Sequence, residues 1–210
     1  MKTIVLVFIL GTTFATVNAQ DARFGIRVGT NFSTVSAPEN ATLDDAVEYR
    51  NGYAIAFVSE IRFTDFYSFQ PEAHLIQKGF QFDNNNEFAF NYVEAHLMSR
   101  FNVGQKAVGG FFQIGPSLGI FSNGFQRVNG VRESISAGLF EDYNRFDLAL
   151  VAGGGLSIDL GLNQLLFDLR YLHSITAVDD AASNDRIHNR GVVLSVGFTF
   201  GVGGGMELDE

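Results

Sequence analysis

Several kinds of residue are missing or scarce in this chain of 210 residues, and each absence excludes a class of protein. The chain has no cysteine, which excludes disulfide frameworks, zinc–thiolate sites and a cysteine nucleophile. Tryptophan is absent and proline is rare (3), whereas glycine (23) and phenylalanine (22) are abundant, a composition that suits long strands. Lys and Arg total 14 against 23 Asp and Glu, so the acidic chain predicts no nucleic-acid partner.

Long apolar runs are also missing. A membrane-spanning helix needs about 20 apolar residues, and the apolar run at residues 4–10 is too short. This run follows Lys2 and precedes the small residues 17–19, as in a cleaved export signal. The predicted organisation is a signal peptide at residues 1–19, one domain at 20–200 and a disordered tail at 201–210.

Residues 67–101 show the clearest pattern in the chain. Two runs of alternating residues flank the polar segment DNNNE, which predicts a β-hairpin. In both runs, apolar side chains take one face and ionisable ones, such as Glu72 and His96, take the other. The ionisable face is too highly charged for a sandwich core. It therefore predicts the interior of a membrane barrel, whose apolar face meets lipid.

The same period-two alternation recurs along the chain and predicts eight strands near the length of about 9–11 residues that a membrane crossing requires. The predicted strands cover residues 24–32, 52–64, 67–82, 88–101, 111–121, 146–160, 165–173 and 191–200. Short connections alternate with long ones, as in bacterial outer-membrane barrels. The short ones are 64–66, 103–108 and 161–163, and the long ones are 33–51, 83–87 (expected to widen), 122–145 and 174–190. We predict an all-β, eight-stranded antiparallel up-and-down transmembrane β-barrel with both termini at the short-turn end.

Inward-facing ionisable side chains are predicted to form a lumen charge network. Its members are Arg27, Glu60, Arg62, Glu72, His74, Lys78, Glu94, His96, Arg100, Asp147, Asp168 and Arg170, and Asp159 is assigned to the same face. An eight-stranded barrel is just wide enough for its own side chains, and buried charges require partners. The favoured interpretation is therefore a salt-bridged plug without an open pore. The alternative is a catalytic or proton-relay cluster built on Glu72, His74, Glu94 and His96.

Two further clusters in the long connections imitate functional sites. One is a triad-like set of His173 and Ser174 with Asp179 or Asp180, which lacks a nucleophile elbow. The other is a calcium-like acidic set of Asp44, Asp45, Glu48, Asp179 and Asp180, which is also typical of solvated loops. The sequence therefore predicts no catalytic residue, no cofactor and no metal site.

Several short motifs occur in a characteristic order. They are FGIRVG at 24–29, QPE and QKG within 70–79, NYVE at 91–94, IGP at 114–116, the strand from Phe146-Asp147 with its glycine cluster, and Arg170-Tyr171. In these motifs the chain resembles, over about residues 23–200, the small outer-membrane β-barrel proteins of Bacteroidetes typified by PorT. The resemblance implies an eight-stranded barrel in the outer membrane. It implies no single activity, although some relatives are linked to protein secretion.

We therefore expect a monomeric outer-membrane scaffold or interaction protein without enzymatic activity. Its partners would be membrane lipid and, through the loops or the periplasmic end, secretion or envelope proteins. Two alternatives stay open. A soluble lipocalin-like ligand-binding barrel would need an apolar lumen. A membrane-embedded lipid-modifying enzyme would need histidine, serine and acid side chains at one bilayer level.

Overall fold

The computed structural model describes residues 22–36, 47–83, 85–104, 107–136, 145–177 and 187–202. Its strands are β1 Ala22–Ser36, β2 Arg50–Arg62, β3 Tyr67–Asp83, β4 Asn86–Val103, β5 Val108–Val128, β6 Val131–Ser136, β7 Phe146–Leu160, β8 Asn163–Ser174 and β9 His188–Val202. Within these residues, no helix is long and apolar enough to cross a membrane. The predicted signal peptide lies outside the described residues, whereas β9 continues two residues into the predicted tail.

Eight of the strands close into a barrel. Their order is β4-β3-β2-β1-β9-β8-β7-β5, and β4 pairs with β5 to complete the circle. All of these pairings are antiparallel. The ninth strand, β6, pairs with the last part of β5 and extends the sheet beyond the barrel. The prediction of a closed eight-stranded antiparallel barrel is therefore confirmed.

The outer face of the barrel is apolar. Ile26, Phe57 and Leu75 are 59%, 54% and 51% exposed, and many other large apolar side chains lie on the same surface. A continuous apolar surface of this kind is unfavourable in water but matches lipid acyl chains. The alternation of the strands places this face opposite the ionised interior, as the sequence predicts.

Aromatic side chains form a chain of contacts at the short-turn end of the barrel. The ring centroids of Phe63 and Tyr67 are 5.8 Å apart, those of Tyr67 and Phe101 5.6 Å, and those of Phe101 and Phe112 6.5 Å. Aromatic rings prefer the interface between acyl chains and headgroups. This band therefore marks the boundary of the membrane on the side of the termini.

Three strands are much longer than a membrane crossing requires, and β5 is also much longer than the sequence predicts. β3, β4 and β5 contain 17, 18 and 21 residues, whereas about 9–11 suffice to cross a membrane. The expected widening of the 83–87 connection is wrong, because pairing continues to Asp83 and Asn86. As a result, the β3–β4 and β5–β6 hairpins project beyond the barrel at the long-loop end.

The prediction that residues 122–145 form an irregular loop is also wrong for the first half of this segment. β5 continues to Val128, and β6 returns beside it after the two-residue turn Asn129-Gly130. Both turn residues have positive φ, 51° and 79°. This geometry is the one that a type I′ hairpin requires and that Asn-Gly favours. The turn signal is therefore present in the sequence, within a segment whose length and polar composition predict a loop.

Two glycines of β7 make room inside the barrel. A Cβ atom on Gly153 would lie 2.3 Å from the carbonyl oxygen of Leu169 and 3.0 Å from Cγ of Arg170. A Cβ atom on Gly155 would lie 2.0 Å from the carbonyl oxygen of Phe167. Side chains at these positions would displace the neighbouring strand. The glycines therefore allow the large Arg170 side chain to enter a narrow lumen.

The outer face can be tested with Leu97→Arg. A cation near the middle of the bilayer costs about 2–4 kcal/mol, so this variant is expected to assemble poorly into lipid vesicles, as judged by heat-modifiable gel mobility. The matched control is Val131→Arg, which places the same charge on an exposed residue of the β5–β6 hairpin and should assemble normally. Normal assembly of Leu97→Arg would contradict the assigned face.

Candidate functional site: a charge cluster in the barrel lumen

Most of the predicted lumen charge network is buried. Eleven of its members are at most 5% exposed. They are Arg27, Glu60, Glu72, His74, Lys78, Glu94, His96, Arg100, Asp147, Asp168 and Arg170. Arg62 is only partly buried, at the short-turn end of β2. Asp159 is exposed near the short-turn end of β7 and accepts a hydrogen bond from Nε2 of the buried Gln164 at 2.8 Å.

Glu72 on β3 lies at the centre of the buried group. Arg170 donates from Nη1 to Oε2 at 2.6 Å and from Nη2 to Oε1 at 2.9 Å, a bidentate contact. Arg27 donates from Nη1 to Oε1 at 2.7 Å. The three residues belong to β3, β8 and β1, and no two of these strands are adjacent. These ion pairs therefore cross the lumen and connect separate parts of the wall.

Asp168 on β8 completes a ring of four charges. Its Oδ2 atom lies 2.8 Å from Nε of Arg27, and its Oδ1 atom lies 3.1 Å from Nε of Arg170. Ser195 donates a further hydrogen bond to Oδ1 at 2.9 Å. Each arginine thus contacts both Glu72 and Asp168. Charges that are buried in this way remain favourable only when such partners are in place.

Lys78 holds a second group of charges nearer the long-loop end. Its Nζ atom lies 2.6 Å from Oε1 of Glu94 and 2.8 Å from Oδ2 of Asp147. Asn189 also donates to Oδ2 of Asp147, at 3.2 Å. The ammonium therefore connects β3 to β4 and, across the lumen, to β7. We refer to the two groups together with His74 and His96 as the central charge cluster.

The two histidines lie between these groups. Their rings stack with centroids 3.8 Å apart and planes 16° apart. Nε2 of His74 lies 2.6 Å from Oε2 of Glu72, and Nε2 of His96 lies 2.9 Å from Oε2 of Glu94. Ser117 donates to the same Glu94 oxygen at 3.1 Å. Each ring is therefore held by a carboxylate of its own strand.

Centring the turn of the β3–β4 hairpin on Asn85 predicts that Gln70 lies opposite Arg100, that His74 lies opposite His96, and that Arg100 reaches Glu72 diagonally. The observed register differs. Gln70 pairs with Met98 rather than with Arg100. Glu72 faces His96 and His74 faces Glu94, so the predicted His74–His96 pair across the strands is wrong. The ladder skips Phe82, a bulge that sequence alternation does not reveal. A shift of two residues leaves every side chain on its predicted face and changes only its partner.

Arg100 consequently lies apart from Glu72, and the predicted contact between them is wrong. Its guanidinium lies 3.6 Å from the carboxylate of Glu60 and 4.0 Å from the centre of the Phe111 ring. It also donates to Oε1 of Gln70 at 3.3 Å. These contacts form a separate charged layer at the short-turn end of the lumen.

An apolar layer fills the lumen beside the charges and continues to Ile135 of the projecting strand β6, and the sequence analysis missed it. Its buried members are Ala54, Ile76, Phe90, Tyr92, Met98, Phe121, Ile135, Val151, Leu172 and Val193. The sequence signal for this layer is a pair of consecutive apolar residues, of which the first faces outward and the second faces inward. Examples are Leu75-Ile76, Leu97-Met98, Leu150-Val151, Tyr171-Leu172 and Val192-Val193. The interior is therefore packed with both ion pairs and apolar side chains.

The triad-like set at the long-loop end does not assemble. His173 points to the outer face, where its ring stacks on Tyr171 with centroids 6.3 Å apart. Ser174, the next residue in the strand, is buried in the lumen. Asp179 and Asp180 lie outside the described residues, as do Asp44 and Asp45 of the calcium-like set, whereas Glu48 accepts a hydrogen bond from Gln81.

A closed barrel with an apolar exterior and an ionised, filled interior is a transmembrane β-barrel of the outer-membrane type. The description "outer membrane protein beta-barrel domain" applies to the family that matches residues 18–180. The chain belongs to this family, and its location is the outer membrane. A soluble lipocalin-like barrel is not favoured, because it would need the opposite distribution of apolar and charged side chains.

Solved structures are also similar to this chain. Neisserial surface protein A (NspA) is 14% identical, with a TM-score of 0.53 over 84% of this chain and 96% of that one. OprG from Pseudomonas aeruginosa is 12% identical, with a TM-score of 0.48 over 89% and 97% of the two chains. Ail of Yersinia pestis is 16% identical, with a TM-score of 0.45 over 85% and 99%. At such identities the likeness to NspA shows the fold alone. No match to a curated protein was found.

The ion pair between Glu72 and Arg170 can be tested by a double-mutant cycle. Arg170→Gln should lower the free energy of unfolding by about 3–5 kcal/mol, because it leaves a buried carboxylate without its bidentate partner. The double variant Arg170→Gln with Glu72→Gln should lose less of the free energy of unfolding than the two single variants lose in sum. The expected difference is about 0.5–3 kcal/mol. Urea unfolding of the protein in lipid vesicles measures both effects.

The control for this cycle replaces Arg170→Gln with Arg100→Gln. Since Arg100 pairs with Glu60 instead, its coupling energy with Glu72 should be clearly smaller. A larger coupling for Arg100 than for Arg170 would mean that the hairpin register described above is incorrect.

Proposed function

We propose that this protein is a closed, non-conducting and non-enzymatic outer-membrane scaffold that binds envelope or secretion proteins through its projecting hairpins. The observation that carries the proposal is the combination of a packed lumen with strands that continue beyond the barrel. A packed lumen leaves no route for solutes, so function falls to the surfaces outside the membrane. The PorT resemblance supports a role of this kind in the cell envelope.

The packing of the lumen supports the absence of a pore. The central charge cluster and the apolar layer fill the cross-section, and the cavity that borders both histidines has a volume of only about 10 Å³. This is the space of a single water molecule. Arg27, Arg170 and Lys78 are fixed by ion pairs of 2.6–3.1 Å and cannot move aside without exposing a buried charge.

The projecting hairpins are held together as one platform. Gly130 donates its backbone N–H to the carbonyl oxygen of Asn85 at 3.1 Å, and Asn129 donates to the side chain of Asn86 at 3.1 Å. These contacts join the tips of the β3–β4 and β5–β6 hairpins. A preordered surface binds a partner with less loss of conformational entropy than a flexible loop.

Ion pairs and ring contacts fix the base of the same platform. Glu87 accepts a hydrogen bond from Nε of Arg50 at 2.9 Å, and its other carboxylate oxygen lies 2.9 Å from Nη1 of Arg127. The guanidinium of Arg132 lies 3.8 Å from the centre of the Phe125 ring. These contacts connect β2, β4, β5 and β6. The platform is therefore part of the folded barrel and not an independent loop.

Conductance measurements test the closed lumen. Purified wild-type protein in planar lipid bilayers is expected to give no stable channel current. The double variant Ile76→Ala with Tyr92→Ala removes two large side chains of the apolar layer and should raise the frequency of current openings. Stable currents of the wild-type protein, at the frequency of this variant, would contradict the proposal.

Surface labelling tests where the platform lies. Because the chain has no cysteine, single-cysteine variants report unambiguously. Val131→Cys on the β5–β6 hairpin is expected to react with a membrane-impermeant maleimide on intact cells. The matched control is Leu162→Cys, which has the same exposure (64% against 63%) but lies in a short turn. Labelling of Leu162→Cys alone on intact cells would show the opposite orientation.

A further inference from the structure

The short-turn end of the lumen carries more positive than negative charge. Arg23 of β1, Arg62 of β2 and Arg100 of β4 lie on the inward faces of their strands there, and we refer to them as the mouth arginines. Glu60 lies opposite Arg23 in the strand register, and its Oε2 atom lies 3.6 Å from Nη1 of Arg100. Asp159 at the same end is exposed and hydrogen-bonded to β8. Among the described residues, three inward guanidinium groups therefore share one buried carboxylate.

The mouth arginines lack the counter-charges that the rest of the lumen has. All three attract the carboxylate of Glu60, and Arg23 and Arg62 also repel Arg100. In the central charge cluster, by contrast, each arginine contacts two carboxylates. Like charges that are shielded from water repel strongly, and an additional anion offsets this repulsion. The charge balance at the short-turn mouth therefore favours a negatively charged ligand.

Several hydrogen-bond donors at this end have no partner among the residues that the structure describes. They are Nε and Nη1 of Arg23, Nε of Arg62 and the hydroxyl of Thr199, and all of these atoms are shielded from water. Thr199 is only 1% exposed. The three residues belong to β1, β2 and β9, which are consecutive strands of the barrel wall. Because a buried donor without an acceptor is unfavourable, these groups form a set that suits an incoming acceptor.

The mouth arginines differ in depth. Arg100 is fully buried, and its guanidinium is held over the ring of Phe111 and by a hydrogen bond from Nε to Asn102 at 2.9 Å. Arg23 and Arg62 are partly exposed. A ligand that approaches the mouth from outside therefore meets Arg23 and Arg62 first, with the fixed charge of Arg100 behind them.

The position of the mouth arginines indicates where their ligand comes from. Phe63, the residue after Arg62, is 56% exposed on the outer face and belongs to the aromatic band. Arg62 points the other way, into the lumen, whereas lipid headgroups surround the outer face. The short turns of outer-membrane barrels face the periplasm. The mouth arginines therefore face ligands from the periplasm and not the headgroups of the membrane.

We propose that Arg23, Arg62 and the hydroxyl of Thr199 bind an acidic segment of a periplasmic protein at the short-turn mouth of the barrel. Guanidinium groups bind carboxylates through paired N–H donors. Three mouth arginines against the single carboxylate of Glu60 leave an excess of two positive charges. A segment with at least two carboxylates matches this excess better than a singly charged small anion. The site lies at the opposite end of the barrel from the projecting hairpins and does not depend on the function proposed for them.

The binding of a glutamate-rich peptide tests the site. The full chain in detergent micelles is titrated against a fluorescent peptide of about eight residues, half of them glutamate, and against the matched peptide with glutamine in place of glutamate. Fluorescence anisotropy measures both affinities. The wild-type protein should bind the glutamate peptide about tenfold more tightly or better. The preference should shrink as the salt concentration rises from about 0.05 M to about 0.5 M, because salt screens partly exposed charges.

A pair of variants separates the mouth arginines from the overall charge of the protein. Arg23→Gln should weaken binding of the glutamate peptide about tenfold, because glutamine lacks the charge and the paired donors of the guanidinium. The matched control is Arg190→Gln, which removes the same charge from an exposed residue at the long-loop end of β9 and should bind like the wild type. The comparison of the two peptides on the wild-type protein decides the matter even if Arg23→Gln assembles poorly.

The chain itself carries carboxylates after β9, at Glu207, Asp209 and Glu210. Changing all three to amides in the full chain, with Glu207→Gln, Asp209→Asn and Glu210→Gln, distinguishes them from a partner. The glutamate peptide should bind this variant with the affinity of the wild type. Binding that is seen only in this variant would assign the mouth arginines to the chain's own carboxylates and overturn the proposal of a partner.

Other results would also overturn the proposal. Equal affinity of the wild-type protein for the two peptides would show that carboxylates are not recognised. An equal loss of affinity in Arg23→Gln and Arg190→Gln would show that only the net charge of the protein matters. Displacement of the peptide by an equal concentration of inorganic phosphate would assign the site to a small anion.

Discussion

The interior depends on the ion pairs that Arg170 and Arg27 both form with the carboxylate of Glu72. Four donor–acceptor contacts of 2.6–2.9 Å, including that of His74, converge on one buried carboxylate. The arginine contacts join strands that are not neighbours in the sheet. In a barrel the backbone hydrogen bonds fix each strand only to its two neighbours. The ion pairs therefore add the connections across the lumen that hold its cross-section.

This constraint explains several other features of the chain. Because buried charges have to be paired, Lys78 lies between Glu94 and Asp147, and Arg100 lies beside Glu60. Because the lumen is narrow, Gly153 and Gly155 give space to large inward side chains. The remaining space is taken by apolar side chains. With the interior occupied, surfaces outside the membrane are left for recognition, and the projecting hairpins supply one.

Much of the fold follows from the sequence because alternation reports the two faces of a strand directly. The outward position of Leu97 and the inward position of Glu94 need no knowledge of neighbouring strands. The partner of each residue on the neighbouring strand is harder to predict, because it depends on the position of the turn that joins the two strands. The turn is closed by Asp83 and Asn86 and not centred on Asn85, and together with the skipped Phe82 this shifts the partner of Gln70 by two residues while leaving its face unchanged.

The candidate site was less accessible to sequence reasoning for a related reason. The sequence identified the buried charges as a set, but not that Arg170 and Arg27, distant in the chain, both reach Glu72. The alternation and turn position predict that His74 lies opposite His96, whereas in the observed register each histidine lies opposite a glutamate and the two rings stack on each other. Strand length was underestimated because the Asn129-Gly130 turn lies in a segment that resembles a loop by its polar composition.

The central claim is that the lumen is a dry, ion-paired interior, and hydrogen exchange of the arginine side chains tests it most directly. The Nε–H groups of Arg27 and Arg170 are buried, whereas Arg190 is exposed on the same protein and serves as the internal reference. Nuclear magnetic resonance of the folded protein in micelles should show slow exchange for the first two and fast exchange for Arg190. Equally fast exchange at all three would mean that water fills the lumen, and it would contradict the account.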